Sequence, residues 1–423
     1  MDIIRFILGI FFIISIAYFF SGDKKNIKWR LVLTGILLQI FFAILISKVQ
    51  FVENIFKSIS EIFVIIIGFS EDGTLFLFPN AEFSGFAFNA LPVVILFSGL
   101  SAVLYYLGIL QVIVKSIAWV MSKTMKLSGA ESLAAAGNIF LGQTEAPLLV
   151  KPYIKNMTNS ELMCLMTGGM ATIAGGVFAA YVALLGGDSP EESIKFATIL
   201  LTASIMNAPA GIVLSKIFYP ESSNDKINTN LDLNKNDLGV NVIDALARGA
   251  SDGLKLAFNI AAMLLVFISV VYMMNYFLNY VGEITTLNDF VYNSSNGQFK
   301  SLSMEYLLGQ IFQFFAFMIG VSWSESALVG SLLGQKFVIN EFIAYVDLAQ
   351  MKSDGLLSDK SIIISSYALC GFANFSSIAI QIGGIGSLAP SRQKDLSKLG
   401  FKALLAATLA TLLTGNIAGL FMT

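Results

Sequence analysis

Two carboxylates stand where a charge is costly. Glu145 lies in Gly142-Gln143-Thr144-Glu145-Ala146-Pro147, and Glu341 follows Asn340 in a stretch that opens at Gly334 and Lys336. Both stretches are embedded between apolar runs, and an ionisable group at membrane depth usually pairs or faces a functional cavity. Amides and hydroxyls accompany them: Gln143, Thr144 and Asn340 nearby, and Thr172, Asn374, Ser376 and Ser377 in other apolar runs. Such groups suit a neutral solute rich in hydrogen-bonding positions, such as a sugar or a nucleobase. No excess of positive charge is present to select a phosphate or a carboxylate. The chain contains no histidine, which removes Ser-His-Asp and Cys-His catalysis, imidazole metal ligation and the usual proton shuttle. Cys164 and Cys370 lack CxxC spacing and read as small buried residues. The enzymatic alternative is a membrane-embedded hydrolase using Glu145 and Glu341 as an acid–base pair. It lacks a metal motif and an obvious nucleophile.

The elements that must hold these groups are helices in a bilayer. The 423 residues are 56% hydrophobic and only 13% charged, with a mean hydropathy of +0.76. Ordinary soluble domains carry about 25% charged residues, and a chain of this size cannot bury so large an apolar excess. Apolar runs of about 20 residues imply spanning helices, whereas a barrel would show short alternating segments. The fold class is therefore an all-α polytopic membrane protein. A net charge of −2 leaves no nucleic-acid footprint. The first segment, MDIIRFILGIFFIISIAYFF, has a weakly charged start and no small-residue cleavage site, so it reads as a retained span.

Eight spans are expected at 2–20, 30–47, 90–113, 160–187, 194–218, 254–280, 361–386 and 402–422. Residues 51–69 place Val52, Ile55, Phe56, Ile59, Ile62, Phe63 and Ile66 on one face and Glu53, Lys57 and Glu61 on another, as an interfacial helix would. Most lysines and arginines fall in 22–30, 115–130, 151–155, 216–255 and 391–402. Cytoplasmic loops retain such residues, which puts both termini outside. Residues 131–150 then lie between two inside segments, and must enter the membrane and return. Their middle holds the helix-breaking Gly142–Pro147 tip, which is tolerated at depth only where protein buries it or a wet cavity adjoins it. The Asn-rich 222–240 stretch reads as a cytoplasmic loop or connector.

The second half repeats the first. Glu131-Ser132, Gly137, Phe140-Leu141 and Glu145 match Glu325-Ser326, Gly334, Phe337-Val338 and Glu341 in order. Gly169–Gly175 then matches Gly371–Ser377, and Asn207-Ala208-Pro209-Ala210-Gly211 loosely matches Asn416–Gly419. Each unit reads as hairpin, broken helix and helix, with hairpins near 131–155 and 325–350. The single span at 254–280 between them inverts the second copy, and broken helices meeting at the midplane are typical of secondary transporters. The expected organisation is scaffold spans in 1–130, transport repeat 1 in 131–218, loop and scaffold span in 219–303, and transport repeat 2 in 304–423. The apolar 304–321 becomes an extra interfacial or tilted segment. Glu131 reads as a helix-dipole partner and Glu325 as a cap on its own hairpin arm. Ser376 is divided between a cavity role and a bond to its own helix. Lys336 either snorkels to the surface or neutralises a glutamate.

At these residues the chain closely resembles the concentrative nucleoside transporters. The stretch from Gly142 to Pro147 is similar to that family's first hairpin tip. Gly334-x-Lys336-x-x-x-Asn340-Glu341-Phe342-Ile343-Ala344-Tyr345 is similar to its signature, with Ile343 where Val is usual. YALCGFANFSSIAI from Tyr367, with GSLAP at 386–390, resembles the second broken helix, and the short N-terminus resembles bacterial eight-span members. The resemblance implies a homotrimer in the bacterial inner membrane, importing nucleosides such as uridine or adenosine, with lipid around it. It implies that Gln143, Thr144, Glu145 and Val177 meet the base, that Glu341, Asn374 and Ser377 meet the ribose, and that Phe372 lines the pocket. It also implies a sodium ion, the coupling ion, held by the side chains of Asn138 and Thr172 and by carbonyls of Leu141, Thr172 and Ile173. Members often have Ser at the place of Thr172. Proton-coupled relatives differ at the first tip and in the fourth span, so sodium is the expected ion and a proton the alternative.

Overall fold

A spanning helix satisfies its backbone internally, which is why the apolar runs of this chain fold as they do. The computed structural model describes residues 2–78, 88, 90–187, 189–222 and 239–422, and among these there is no strand. In chain order the helices are α1 (Asp2–Phe19), α2 (Trp29–Lys48), α3 (Gln50–Leu77), α4 (Leu91–Tyr106), α5 (Ile109–Met125), α6 (Gly129–Gly137), α7 (Ala146–Leu149) and α8 (Lys151–Ile154). They continue as α9 (Asn159–Ala171), α10 (Gly175–Gly186), α11 (Pro190–Phe218), α12 (Val242–Ile284), α13 (Leu287–Ser294) and α14 (Met304–Met318). The last are α15 (Trp323–Val338), α16 (Glu341–Ser353), α17 (Asp359–Leu369), α18 (Phe375–Leu388) and α19 (Gln393–Phe421).

By length and apolarity, α1, α2, the α9–α10 pair, α11, α12 and α19 can each cross a membrane. α4 and the broken pair α17–α18 stand where the remaining two spans were expected. The two hairpins are α6 to α8 and α15 to α16. The expected repeat is present: hairpin, broken helix and long helix occur twice, separated by α12. The helices sort by burial. In α9–α10, α11 and α19 about four-fifths of the apolar window is buried (83%, 83% and 78%), whereas α1 and α12 bury 17% of theirs. The inner helices pack on one another, with α19 against α9, α11, α17 and α18.

Several boundaries differ from the sequence reading. The span expected at 90–113 stops at Tyr106. Gly108, at φ +80°, turns the chain, and α5 leaves at 76° as a separate amphipathic helix carrying Lys115 and Lys123. Only glycine adopts that turn without strain. The 304–321 segment folds back on α15 at 117° rather than standing apart. The helix expected over 51–69 runs on to Leu77 and buries Ser60, Ile67 and Ser70. Of the 222–240 stretch, residues 223–238 lie outside the described residues. Cys164 and Cys370 are buried free thiols, as expected.

Buried polar contacts fix the hairpin bases. Ser128 and Glu131 form a capping box at the start of α6, satisfying two orphan N–H groups reciprocally. Lys216, at the end of α11, forms an ion pair with the same Glu131, a second with Glu221 (3.1 Å), and a hydrogen bond to Ser160 Oγ (2.9 Å). Glu325 bonds Ser322 at the start of its own arm and also reaches the next helix. It accepts from the Ser358 backbone (3.0 Å), from Ser358 Oγ (2.9 Å) and from Ser361 Oγ, and so holds the start of α17.

Removing one member of a buried ion cluster leaves a charge unpaired and costs about 3–5 kcal/mol. Lys216→Met is expected to lower the thermal midpoint of detergent-purified protein substantially, and adding Glu131→Gln should recover part of the loss. A Lys216→Met midpoint equal to wild type would show that the cluster does not anchor hairpin one.

Candidate functional site

The two broken helices cross at their breaks. α9 ends at Ala171 and α10 begins at Gly175; α17 ends at Leu369 and α18 begins at Phe375. The Phe372 N–H donates to Thr172 O across the crossing (3.2 Å). A Cβ on Gly371 would lie 2.7 Å from Ala171 O, closer than real side chains approach backbone. Gly371 is thus what permits two interrupted strands of backbone to touch.

Hairpin two delivers Glu341 to this crossing. Asn340 caps α16 through Ile343 N (3.0 Å), which starts the helix at Glu341 and aims the carboxylate inward, 4% exposed. Its two oxygens have separate donors. Tyr181 Oη–H donates to one (3.0 Å) and Asn374 Nδ2 to the other (2.8 Å). Asn374 in turn caps α18, accepting from Ser377 N (2.9 Å) and Ser376 Oγ (2.7 Å). Ser376 therefore bonds locally rather than reaching out.

Hairpin one arrives from the other repeat. Gln143 Nε2 donates to Ser377 Oγ (3.1 Å), and Gln143 Oε1 accepts from Gln381 Nε2 (3.2 Å), which also donates to Met166 O (3.1 Å). Thr144 lies over α18, where a Cβ on Gly384 would sit 3.1 Å from its methyl. One chain of side chains thus runs from Tyr181 through Glu341, Asn374 and Ser377 to Gln143 and Gln381. It joins the tips of both hairpins and both broken helices. Glu145 stands apart: its carboxylate folds onto its own tip and accepts from Gly142 N. Val177 is buried in α10 and Phe372 is half-buried at the crossing.

The residues with cation-binding potential lie at the first break. Asn138 ends α6 and is 1% exposed, yet neither atom of its amide has a partner among the described residues. Thr172 Oγ donates to Gly168 O (2.9 Å), which leaves its lone pairs free. Thr172 and Ile173 are each 1% exposed, and Leu141 is partly buried. A buried amide without partners calls for a specific occupant, and neutral oxygen donors suit a hard monovalent cation. No group of three or more acidic, His or Cys residues suited to a multivalent metal occurs among the described residues.

Tyr181 and Gln381 were not among the expected site residues. Tyr181 is a lone polar group in an apolar helix and Gln381 lies one turn beyond Ser377, signals weaker than a hairpin tip. Lys336 neither snorkels nor contacts a glutamate directly: its Nζ donates to Ala368 O and Thr411 Oγ, both at 2.8 Å.

An inverted repeat whose broken helices cross beside two hairpin tips defines a helical membrane transporter. Sequence profiles described as the N-terminus and the C-terminus of the Na+ dependent nucleoside transporters match residues 8–81 and 199–419, and one described as nucleoside recognition matches 87–188. The chain belongs to this family of nucleoside transporters. It is 41% identical to YutK of Bacillus subtilis, an uncharacterized transporter, over the full length of both. It is 36% identical to the mouse sodium/nucleoside cotransporter 2, covering 97% of this chain and 62% of that one. The structure of CNTnw in an inward-facing substrate-bound state superposes at a TM-score of 0.89 with 37% identity, covering 100% of this chain and 98% of that one. These relatives are transporters, not enzymes, which removes the hydrolase reading.

The crossing supplies a structural test. Gly371→Ala drives a methyl into the Ala171 carbonyl, and overpacking of this kind costs about 1–3 kcal/mol or more. The variant is expected to give little monodisperse protein by fluorescence-detected size exclusion. Gly383→Ala, where a Cβ meets nothing within 4 Å, should behave as wild type.

Proposed function

We propose that the chain is a sodium-coupled symporter that imports nucleosides across the bacterial inner membrane. The observation that carries this reading is the polar chain from Glu341 to Gln143, built from both repeats and buried at the crossing. It presents carboxylate, amide and hydroxyl groups without a cationic side chain in hydrogen-bonding contact, which suits a neutral solute with hydroxyls at one end and a mixed donor–acceptor edge at the other. Glu341, Asn374 and Ser377 meet the ribose. Gln143, Thr144 and Glu145, with Val177, meet the base, and Phe372 lines the pocket. Glu145 turns from Gly142 N toward the solute when the site fills.

Sodium binds at Asn138 and Thr172, with carbonyls of Leu141, Thr172 and Ile173. The unpartnered Asn138 amide supports this assignment. The ion and the solute share hairpin one, so ordering that tip by sodium tightens solute binding, and the solute tightens sodium by the same factor. The hairpins are re-entrant, both termini lie outside, and the repeats in 131–218 and 304–423 move against the scaffold in 1–130 and 219–303 to alternate access. The protomers form a homotrimer.

Two-ended recognition is tested in proteoliposomes by competing labelled uridine with deoxynucleosides and with other bases. Losing a sugar hydroxyl leaves a buried partner unsatisfied, at about 1–3 kcal/mol, so deoxy-analogues should compete more weakly against wild type. Glu341→Ala should erase that discrimination while lowering affinity, and Gln143→Ala should change base preference and spare ribose discrimination. Equal loss of both in both variants would reject the two-ended site. Glu145→Gln should reduce transport at least ~10-fold, because a charged hydrogen bond contributes roughly 1.5–3 kcal/mol.

The ion is tested separately. Binding to the folded state raises stability by RT ln(1 + [L]/Kd). Sodium chloride should therefore raise the melting midpoint of wild type above its value in choline chloride. Asn138→Ala should abolish the difference without lowering the choline midpoint, since it removes an unsatisfied buried amide. Uptake that persists fully in choline at fixed pH would transfer the coupling to a proton.

A further inference from the structure

The two breaks expose the same kind of backbone and are completed differently. The final carbonyls of a helix have no intrahelical partner and carry partial negative charge. At the second break, side chains from three other helices take them up. Tyr345 Oη–H donates to Ser366 O (2.7 Å), Lys336 Nζ to Ala368 O (2.8 Å) and Asn207 Nδ2 to Cys370 O (2.6 Å). Lys336 is 2% exposed and also donates to Thr411 Oγ (2.8 Å), whose own hydrogen goes to Thr408 O (3.0 Å). A buried ammonium is thus ligated by two oxygens at the negative end of α17, carried there by the inner end of the first hairpin arm, α15.

The first repeat has the same parts without the ammonium. Its first hairpin arm, α6, also packs on the first half of its broken helix, α9. Its inner end carries Asn138, whose Nδ2 lies 3.1 Å from the position of a Cβ on Gly168. Gly168 O is among the last carbonyls of α9, as Ala368 O is of α17. No lysine or arginine occurs between residues 127 and 150, and the buried amide of Asn138 is unpartnered.

We propose that Lys336 is a tethered cation, whose ammonium occupies in the second repeat the position that the coupling ion takes in the first. The chain then has one cation site that exchanges with solution and one that is built in. This inference rests on reading Asn138 and Thr172 as the coupling-ion site. It assigns one exchangeable cation to each solute, and it makes hairpin one the element that the ion orders. Hairpin two, with Glu341 five residues beyond Lys336, stays held whether or not the ion is bound.

The test uses full-length protein in proteoliposomes and equilibrium uridine binding. Wild type should bind uridine with a hyperbolic sodium dependence and a Hill coefficient of about 1. Lys336→Ala opens a space for a small cation: binding at fixed low sodium should fall at least ~10-fold, ethylammonium should restore it, and the sodium dependence should steepen toward a Hill coefficient of about 2. Lys336→Met fills the space without charge, and should show the loss without rescue. Reciprocally, Asn138→Lys should bind uridine independently of sodium. If wild type requires sodium but Lys336→Ala shows neither rescue nor a steeper dependence, Lys336 only packs and the proposal is overturned. If wild type needs no sodium and Asn138→Ala changes nothing, the first-repeat site itself is wrong, a different pattern. Should Lys336→Ala fail to fold, Asn138→Lys decides alone: a retained sodium requirement there overturns the proposal.

Discussion

The structure depends on one constraint: backbone interrupted in the middle of two membrane helices must still be hydrogen-bonded. Each break frees carbonyls on one side and N–H groups on the other, and an unpaired group away from water costs several kcal/mol. The chain answers by bringing the breaks together. Phe372 N–H bonds Thr172 O, and Gly371 allows the approach. Asn374 caps the half-helix that follows, and the same amide then reaches Glu341. The residues that would recognise a solute are therefore those that repair the backbone. Binding capacity follows from the repair, because an amide that caps a helix through its oxygen still has N–H donors to offer.

Both hairpins have firm bases, and the tip of hairpin one is lightly held. The base of hairpin one is fixed by the Ser128–Glu131 capping box and by Lys216 with Glu221 and Ser160. The second hairpin is joined to the rest through Glu325 on the start of α17 and through Lys352, which pairs with Glu192 (2.7 Å) and donates to Leu185 O (2.8 Å). Arg392 clamps the exit of hairpin one, donating to Asn159 Oδ1 (2.9 Å) and pairing with Asp395 (2.8 Å). The tip of hairpin one carries few such contacts. Glu145 is bonded within its own turn, and Gln143 is held by two amide-strength bonds that a ligand could replace. Stability resides at the bases, where charges are paired, and adaptability at the tip of hairpin one.

Without histidine, the crossing is lined with carboxylate, amide and hydroxyl groups. Glu341 receives a tyrosine hydroxyl and an asparagine amide rather than a direct hydrogen bond from a cation. The lysine that lies close in sequence is spent on the carbonyls of α17 and on Thr411. That division leaves the proposed solute site without an ammonium in hydrogen-bonding contact.

Much of this was legible in the residues. Composition dictated a helical membrane protein, and the positions of Lys and Arg raised the expectation of a hairpin over 131–150, where the structure places α6 to α8. Gly142–Pro147 and Asn340-Glu341 marked two tips because helix breakers and carboxylates are rare between apolar runs. The motif match carried the family, and Gln143, Glu341, Asn374 and Ser377 are indeed brought together. Sequence could not say which partner each polar group takes, because those partners come from elements far apart in the chain. Glu325 holds the next helix as well as its own, Glu131 answers to Lys216 across the fold, and the span expected to reach 113 ends where Gly108 turns it. Tyr181 and Gln381 were invisible because one or a few polar residues in an apolar helix have no periodic signature. Lys336 was undecidable for the same reason: its chemistry is set by which carbonyl lies 2.8 Å away. Local pattern determined which residues could not sit in lipid, and only the tertiary crossing of the two broken helices decided what each would bond instead.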